Sequence, residues 1–393
     1  MKRTNLLAKA ALPLILSAAL VIPLAANAQT FPRAPNYEVH VLTLNGAGCR
    51  VSDIDSGMAV GWCGNEAPRR AFAWTEATGM IDLGTLGGTT ALALGTRNGR
   101  AVGSSTLSGD LTENAMAWSL SAGMIDLGSL GGGSWMLAVA TAGNVVVGSG
   151  AVNGWPRAFR WTPSTGLVAL PVLPGSTESA AVDVDGGLIA GFSKTSVPGR
   201  RPVVWRTDGT LIDPIGAPIE SCGIFVCGSG EATAVRDGLV VGYRYDAAEK
   251  VRAFAWSEAS GLIDLGLVPG STGSLAWDTD NGQVVGQLSG ALTDRAFVWT
   301  AAAGMRAITP DTVSAVATFT TNGRVVGWYY SADTNGSRIF LWTPRRRPVD
   351  VTPPGFDGSS RPVGIDAAGR IAVLYEDENP ANTKSVVLVP RGP

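Results

Sequence analysis

The chain has 393 residues, of which 45% are hydrophobic and 16% charged, with a formal net charge of −2. That apolar content excludes a disordered or low-complexity protein. The near-neutral charge, with no basic cluster beyond Arg345-Arg346-Arg347, excludes the electrostatic footprint of a nucleic-acid binder.

The first 28 residues read as a signal peptide. Lys2, Arg3 and Lys9 precede an apolar run from Ala10 to Ala26, and Ala26-Asn27-Ala28 supplies the small-x-small cleavage signature. Pro13 and Pro23 interrupt the run, which is short for a membrane span. Cleavage predicts an exported, extracellular or periplasmic chain of residues 29–393 with no membrane span and a net charge of −5. Four cysteines follow in two close pairs, Cys49 with Cys63 and Cys222 with Cys227. In an exported protein these read as disulfides; three connectivities exist, and the local one is expected.

Seven short segments end in tryptophan: RRAFAW (69–74), ENAMAW (113–118), PRAFRW (156–161), RRPVVW (200–205), VRAFAW (251–256), DRAFVW (294–299) and SRIFLW (337–342). The spacings between tryptophans are 44, 43, 44, 51, 43 and 43, so an insertion holding Cys222 and Cys227 interrupts one interval. After each tryptophan comes a turn and an apolar strand; MIDLGTLGG (80–88) returns as MIDLGSLGG (124–132). Then follows a hairpin on an Asn-Gly or Asp-Gly turn, as in VSDIDSGMAVG (51–61), VRDGLVVG (235–242), DTDNGQVVG (278–286) and TTNGRVVG (320–327). Those dipeptides tolerate the positive φ that a tight hairpin requires. Four strands of about six residues and four connections of about five make a unit of roughly 44.

A four-stranded repeat of this length, with period-two alternation, predicts an all-β propeller. The first unit opens on a degenerate strand, YEVHVLTL (37–44), and the last closes on KSVVLVP (384–390). Eight units fit that span, at roughly 37–78, 79–122, 123–165, 166–209, 210–260, 261–303, 304–346 and 347–390. Seven blades, one per tryptophan, is the rival count. Closure is expected to pair the N-terminal strand with the C-terminal three.

RAFAW, MIDLGTLGG and GQVVG together resemble the HAF-repeat family of bacterial extracellular proteins, over nearly all of residues 29–393. The chain departs from that family at the histidine, which is replaced by Arg70, Asn114, Arg157, Arg201, Arg252, Arg295 and Arg338. The resemblance implies an exported β-rich repeat protein and carries no reaction with it.

A Ser-His-Asp hydrolase would have to use His40, the single histidine, which sits in the degenerate first strand. Calcium is the one cofactor with candidate ligands. Asp53 and Asp55, Asp183 and Asp185, and Asp278 and Asp280 each pair carboxylates two apart before a glycine, although none continues into a full calcium loop. A glycosidase needs two carboxylates in one cleft, and no motif marks such a pair. The repeated Phe and Trp of RAFxW read as inter-blade core. The repeated Arg reads as a partner for the Asp of IDLG.

Trp155, Tyr243, Tyr245, Trp328 and Tyr330 stand where the second strand passes to the third, and are the candidate ligand contacts, suited to sugar rings or a partner's apolar side chains. The expected function is therefore a monomeric, non-catalytic binding or scaffold protein for an envelope partner or extracellular glycan. The rival is an extracytoplasmic hydrolase or lyase acting on polysaccharide with carboxylates at the propeller channel.

Overall fold

The hairpin turns form where the dipeptides require them. Asn322 and Gly323 take φ of 47° and 75° and join Ala315–Thr321 to Arg324–Ser331. The computed structural model describes residues 30–391 apart from 35–36, 132, 196–198, 217–220, 223–224, 227, 357 and 377–381. The signal peptide read over 1–28 lies outside the described residues.

All the regular elements named among the described residues are strands, and apart from one two-stranded hairpin they form eight antiparallel sheets in a ring. The protein is an eight-bladed β-propeller. Its blades cover 43–82, 87–128, 136–169, 176–212, 230–264, 271–307, 315–350 and 360–390 with 37–41. Within each of the first seven blades the chain runs from an inner strand at the axis to an outer strand at the rim. The inner strand of every blade packs against that of the next, all the way round.

The sequence repeat is one strand out of phase with the blade. The MIDLG strand that opens each unit pairs back onto the preceding RAFAW, with Trp74 opposite Met80 and Phe72 opposite Asp82, so it is the outer strand of the blade before. Closure follows from this offset. Tyr37–Val41 lies antiparallel to Lys384–Pro390, from Tyr37 opposite Pro390 to Val41 opposite Val386, and completes the eighth blade. Upstream, Arg33 bridges to Asp350 on the seventh blade, and Phe31 is buried against Tyr329 and Phe340 at ring distances of 4.4 and 5.9 Å. Thr43–Leu44 then pairs with the first blade, so residues 31–44 tie three blades together.

The core lies between blades. Phe72, Phe159, Phe254, Phe297 and Phe340 are completely buried. Phe72 and Trp74 pack with Val363, Ala372 and Val387 of the eighth blade, while Ala71 and Ala73 pack with Met116 and Trp118 of the second. Because both faces of each sheet are covered, alternate residues are apolar on both sides, at about 1.5–3 kcal/mol per large side chain.

One glycine in each of the first seven blades is a steric requirement, while the eighth has Val373 at that position. Each inner strand carries a bulge, as between Val51 and Asp53 or Ala317 and Phe319, which pushes a carbonyl against the second strand. A Cβ at Gly61 or Gly327 would collide with the carbonyl oxygen of Arg50 or Val316. That is the physical meaning of the repeated VVG.

The long tryptophan interval holds an extra hairpin of Ser221–Cys222 and Phe225–Val226 between the fourth and fifth blades. The expected Cys222–Cys227 bond lies outside the described residues. Cys49 and Cys63 stand opposite each other on adjacent strands and form a disulfide. The arginine of RAFxW meets the Asp of the outer strand as expected in three blades, through Arg70–Asp82, Arg201–Asp213 and Arg338–Asp350; Asn114 replaces it opposite Asp126. Arg252 instead takes Asp246, and Arg295 takes Ser271 and the carbonyl of Pro269.

Candidate functional site

Eight inner strands around an axis leave a cavity of about 260 Å³, lined by side chains from every blade. The chain positions those side chains through the bulge. The residues after it are Asp53, Gly95, Ala140, Asp183, Ala234, Asp278, Phe319 and Gly364 in blade order, and two positions on come Asp55, Arg97, Ala142, Asp185, Arg236, Asp280, Thr321 and Asp366. Acids dominate the first, fourth, sixth and eighth blades. Guanidinium groups enter from the second and fifth.

The three Asp-x-Asp pairs considered for calcium are clasps between blades. Asp53 accepts the Thr96 amide at 2.9 Å and Asp55 that of Asn98 at 2.8 Å. Asp183 and Asp185 likewise take Val235 and Asp237, and Asp278 and Asp280 take Thr320 and Asn322, at 2.7–3.1 Å. Each pair thus spends an oxygen per carboxylate on amides of the next blade, one in its inner strand and one in the turn that follows, which would otherwise lack a partner at the axis. Asp366 closes the ring by accepting the Gly57 amide at 2.9 Å. Among the described residues no group of three or more His, Cys, Asp or Glu is placed to hold a metal ion.

The charged centre of the cavity lies between the fourth, fifth and sixth blades. Arg97 reaches across the small residues of the third blade to Asp185 at 2.8 Å. Arg236 has no such partner: among the described residues no ion pair or hydrogen bond is formed by its guanidinium, although Asp183, Asp278, Asp185 and Asp53 act on it at longer range and hold it charged. Burial pushes the Asp278 carboxyl up to about 6, against the pull of Arg236 and the Thr320 and Thr279 amides, with Asp183 adding to the rise. Beside it, Trp277 lines the wall, and its indole N–H is buried without an acceptor.

The candidate aromatic contacts do not form one platform. All five belong to strands flanking the connections, because the second strand continues in alternation beyond VVG. Trp155 opens the third strand of the third blade and is 53% exposed; Tyr330, on the seventh, is 47% exposed and donates to Asn335 Oδ1 at 2.7 Å. Tyr243 packs edge-on to Trp277 at 6.1 Å, and burial raises its phenol well above the usual range. Tyr245 and Trp328 are half-buried. Sequence reasoning missed two further exposed apolar residues on the same connections, Leu111 at 88% and Leu292 at 94% exposure. Leu111 and Trp155 sit on blades two and three, Leu292 and Tyr330 on blades six and seven, so the two pairs oppose each other across the axis on one face.

His40 stands in the outermost strand of the eighth blade, against Glu38 at 3.4 Å and Trp74 at a ring distance of 5.1 Å. It is at the rim and has no place in the cavity. Arg236 and Trp277 carried no signal in the sequence beyond their place on two inner strands.

No family model matches the chain, and no curated protein matches it. Among solved structures, the β-propeller domain of the Trilobed protease from Pyrococcus furiosus aligns with 78% of this chain and 99% of its own, at 10% identity and a TM-score of 0.49. One of two prolyl endopeptidases analysed together aligns with 87% of this chain at 10% identity and a TM-score of 0.48, and this chain spans about half of it (55%). TolB from Acinetobacter baumannii aligns with 75% of this chain and 65% of its own, at 11% identity and a TM-score of 0.38. Similarity this low carries no activity from one protein to another. Among the described residues no helix is long and apolar enough to cross a membrane.

Proposed function

We propose that this chain is an exported, monomeric binding propeller that holds an extracellular glycan without catalysing its turnover. The observation that carries this reading is the pairing of Leu111 with Trp155 and of Leu292 with Tyr330, exposed on opposite sides of one face. Large apolar side chains held out on a rigid ring mark contact surfaces, and flat aromatic rings suit the faces of sugars. Export is supported by the leader sequence, the Cys49–Cys63 disulfide and the resemblance to HAF-repeat proteins. The clasps favour binding over hydrolysis, since most of the axial carboxylates hold neighbouring blades together.

A thermal-shift screen of residues 29–393 against cell-wall and extracellular polysaccharides tests the proposal. A polymer at 100 times its dissociation constant stabilises the fold by about 2.7 kcal/mol. The shift is expected to shrink in Trp155→Ala and Tyr330→Ala. A flat panel would refute the glycan and turn the search to an envelope protein as partner.

One observation favours a second reading, a polysaccharide hydrolase or lyase. A carboxyl raised to about 6, such as Asp278, is poised to give up a proton near neutrality. Release of reducing or unsaturated ends from a bound polymer, abolished in Asp278→Asn, would establish it.

A further inference from the structure

The seventh blade carries a positive charge that its neighbours do not answer. Its third strand passes to the outer strand through Thr343-Pro344-Arg345-Arg346-Arg347, and all three arginines are exposed. The turn lies on the face of the Asn-Gly hairpins, opposite that of Trp155 and Tyr330. Equivalent turns on blades one, four and five carry acids instead, Glu76, Asp208 and Glu258. Two more arginines flank the triplet. Arg324 opens the second strand, just after Gly323, on which Pro344 packs, and it donates to the Ala367 carbonyl at 3.0 Å. Arg306, exposed on the outer strand of blade six, lies over the Trp342 ring at 5.1 Å. Among the described residues none of these five forms an ion pair, whereas Arg70, Arg97, Arg201, Arg206, Arg338 and Arg370 each meet a carboxylate.

The backbone of the triplet is itself unusual. The Arg346 amide donates to the Thr343 carbonyl at 3.1 Å, closing a turn in which Pro344 stands second and Arg345 third, at φ 65°. Gly or Asn takes that third position without strain, whereas an arginine there holds its Cβ in the left-handed region. Apart from Glu249, the other non-glycine residues at positive φ are Asn, Asp or Ser. Strain kept for a side chain that pairs with nothing among the described residues points to a role outside the fold.

The chemistry of the partner follows from the arrangement. None of the five arginines lines the axial cavity; they form an open arc over blades six and seven, which suits a charge repeated along a chain better than a single ion. Their planar forks match carboxylates. A lipid surface would need apolar side chains beside the arginines to enter it, and none of the exposed large apolar residues belongs to these segments. Taken from the net −5 of residues 29–393, the five leave twice that negative charge on the rest of the molecule. That remainder repels a dense polyanion such as duplex DNA more than a polymer with one carboxylate per sugar. We propose that this face docks an acidic polysaccharide, a polyuronate, through Arg306, Arg324 and Arg345–Arg347. The proposal rests on the glycan-binding reading, to which it adds a charge class and a second face.

Calorimetric titration of residues 29–393 with polygalacturonate, at about 50 and about 200 mM salt, tests the surface. Dextran, duplex DNA and phosphatidylglycerol vesicles are the competing probes. Polygalacturonate is expected to bind at the lower salt and about tenfold more weakly at the higher, the loss that about three neutralised charges produce. Binding should fall at least tenfold in the combined variant Arg345→Gly, Arg346→Gln and Arg347→Gln, and persist in Trp155→Ala. Glycine suits the turn, so the combined variant should melt no lower than the wild type, which separates lost binding from lost folding. Polygalacturonate binding undiminished in the combined variant but lost in Trp155→Ala would overturn the proposal and leave the glycan-binding reading intact. Binding of dextran without polygalacturonate would do the same. Tighter binding of DNA or vesicles than of polygalacturonate would overturn it in favour of those partners. No response to any polysaccharide would overturn both.

Discussion

Replacing Asp366 by alanine should loosen the closure of the ring more than any comparable change in a clasp open to solvent. The carboxylate is 2% exposed and accepts four hydrogen bonds: from the amides of Ala368, Arg370 and Gly57 at 2.9–3.0 Å, and from Arg370 Nη1 at 3.0 Å. The Gly57 amide belongs to the first blade, so this one side chain joins the two ends of the ring. Breaking a buried ion pair costs about 3–5 kcal/mol, but the Arg370 side chain is 25% exposed and keeps Glu76, which lowers its share. Hydrogen bonds to a charged acceptor contribute about 1.5–3 kcal/mol and are not additive within one network. The expected loss is therefore about 3 kcal/mol. For a chain of this length, that corresponds to a fall of roughly 4 °C in Tm. Asp55→Ala is the control. Its carboxylate makes the equivalent bond to Asn98 at 2.8 Å in a more exposed setting and should cost about 1 kcal/mol. Equilibrium denaturation and calorimetry of both variants give the comparison. Equal losses in the two would refute the claim that the buried, four-bond clasp of Asp366 secures the ring more than an exposed one does.

Asp278→Asn tests the charged centre through pH. A folded value of about 6, above the ordinary carboxyl, means that the native state holds this proton more tightly than the unfolded chain. Its contribution is complete below about pH 4 and lost as pH rises through 6, on the order of 3 kcal/mol. Urea titrations at several pH values should show the wild type losing stability relative to the variant across that window; a constant difference would contradict the burial assigned to Asp278. Phe31→Ala should cost about 3–5 kcal/mol by opening the pocket between Tyr329 and Phe340. Hydrogen exchange should then quicken in Tyr37–Val41, and unchanged protection there would show that Phe31 does not anchor the closing strand. Gly327→Ala should destabilise by about 1–3 kcal/mol or more, since its Cβ meets a backbone carbonyl that the bulge holds in place; an unchanged Tm would mean that the bulge can relax.

The repeat spelled out most of the architecture. Tryptophan spacing gave the period, the span from Tyr37 to Pro390 divided by it gave eight blades, Asn-Gly and Asp-Gly gave the turns, and RAFxW gave the inter-blade core, because each is a local or periodic demand that recurs from blade to blade. The phase of the blade was hidden, since antiparallel pairing of MIDLG with the strand before or the strand after satisfies the same alternation. The Asp-x-Asp pairs were visible, but their partners were not. Carboxylates two apart before a glycine suit calcium in a loop, and only the neighbouring blade, some 43 residues on in Asp53 to Thr96, supplies the amides that occupy them.

The candidate site was the least legible part. Arg236 and Trp277 occupy ordinary positions in two different repeats, and nothing in either segment announces a ligand. What the sequence alone determined was the unit: four strands, their turns and the apolar faces that must be covered. What only the tertiary structure decided was which residues meet at the axis. Ring closure brings together side chains far apart in sequence, and whether a carboxylate or guanidinium there is paired depends on the blades around it.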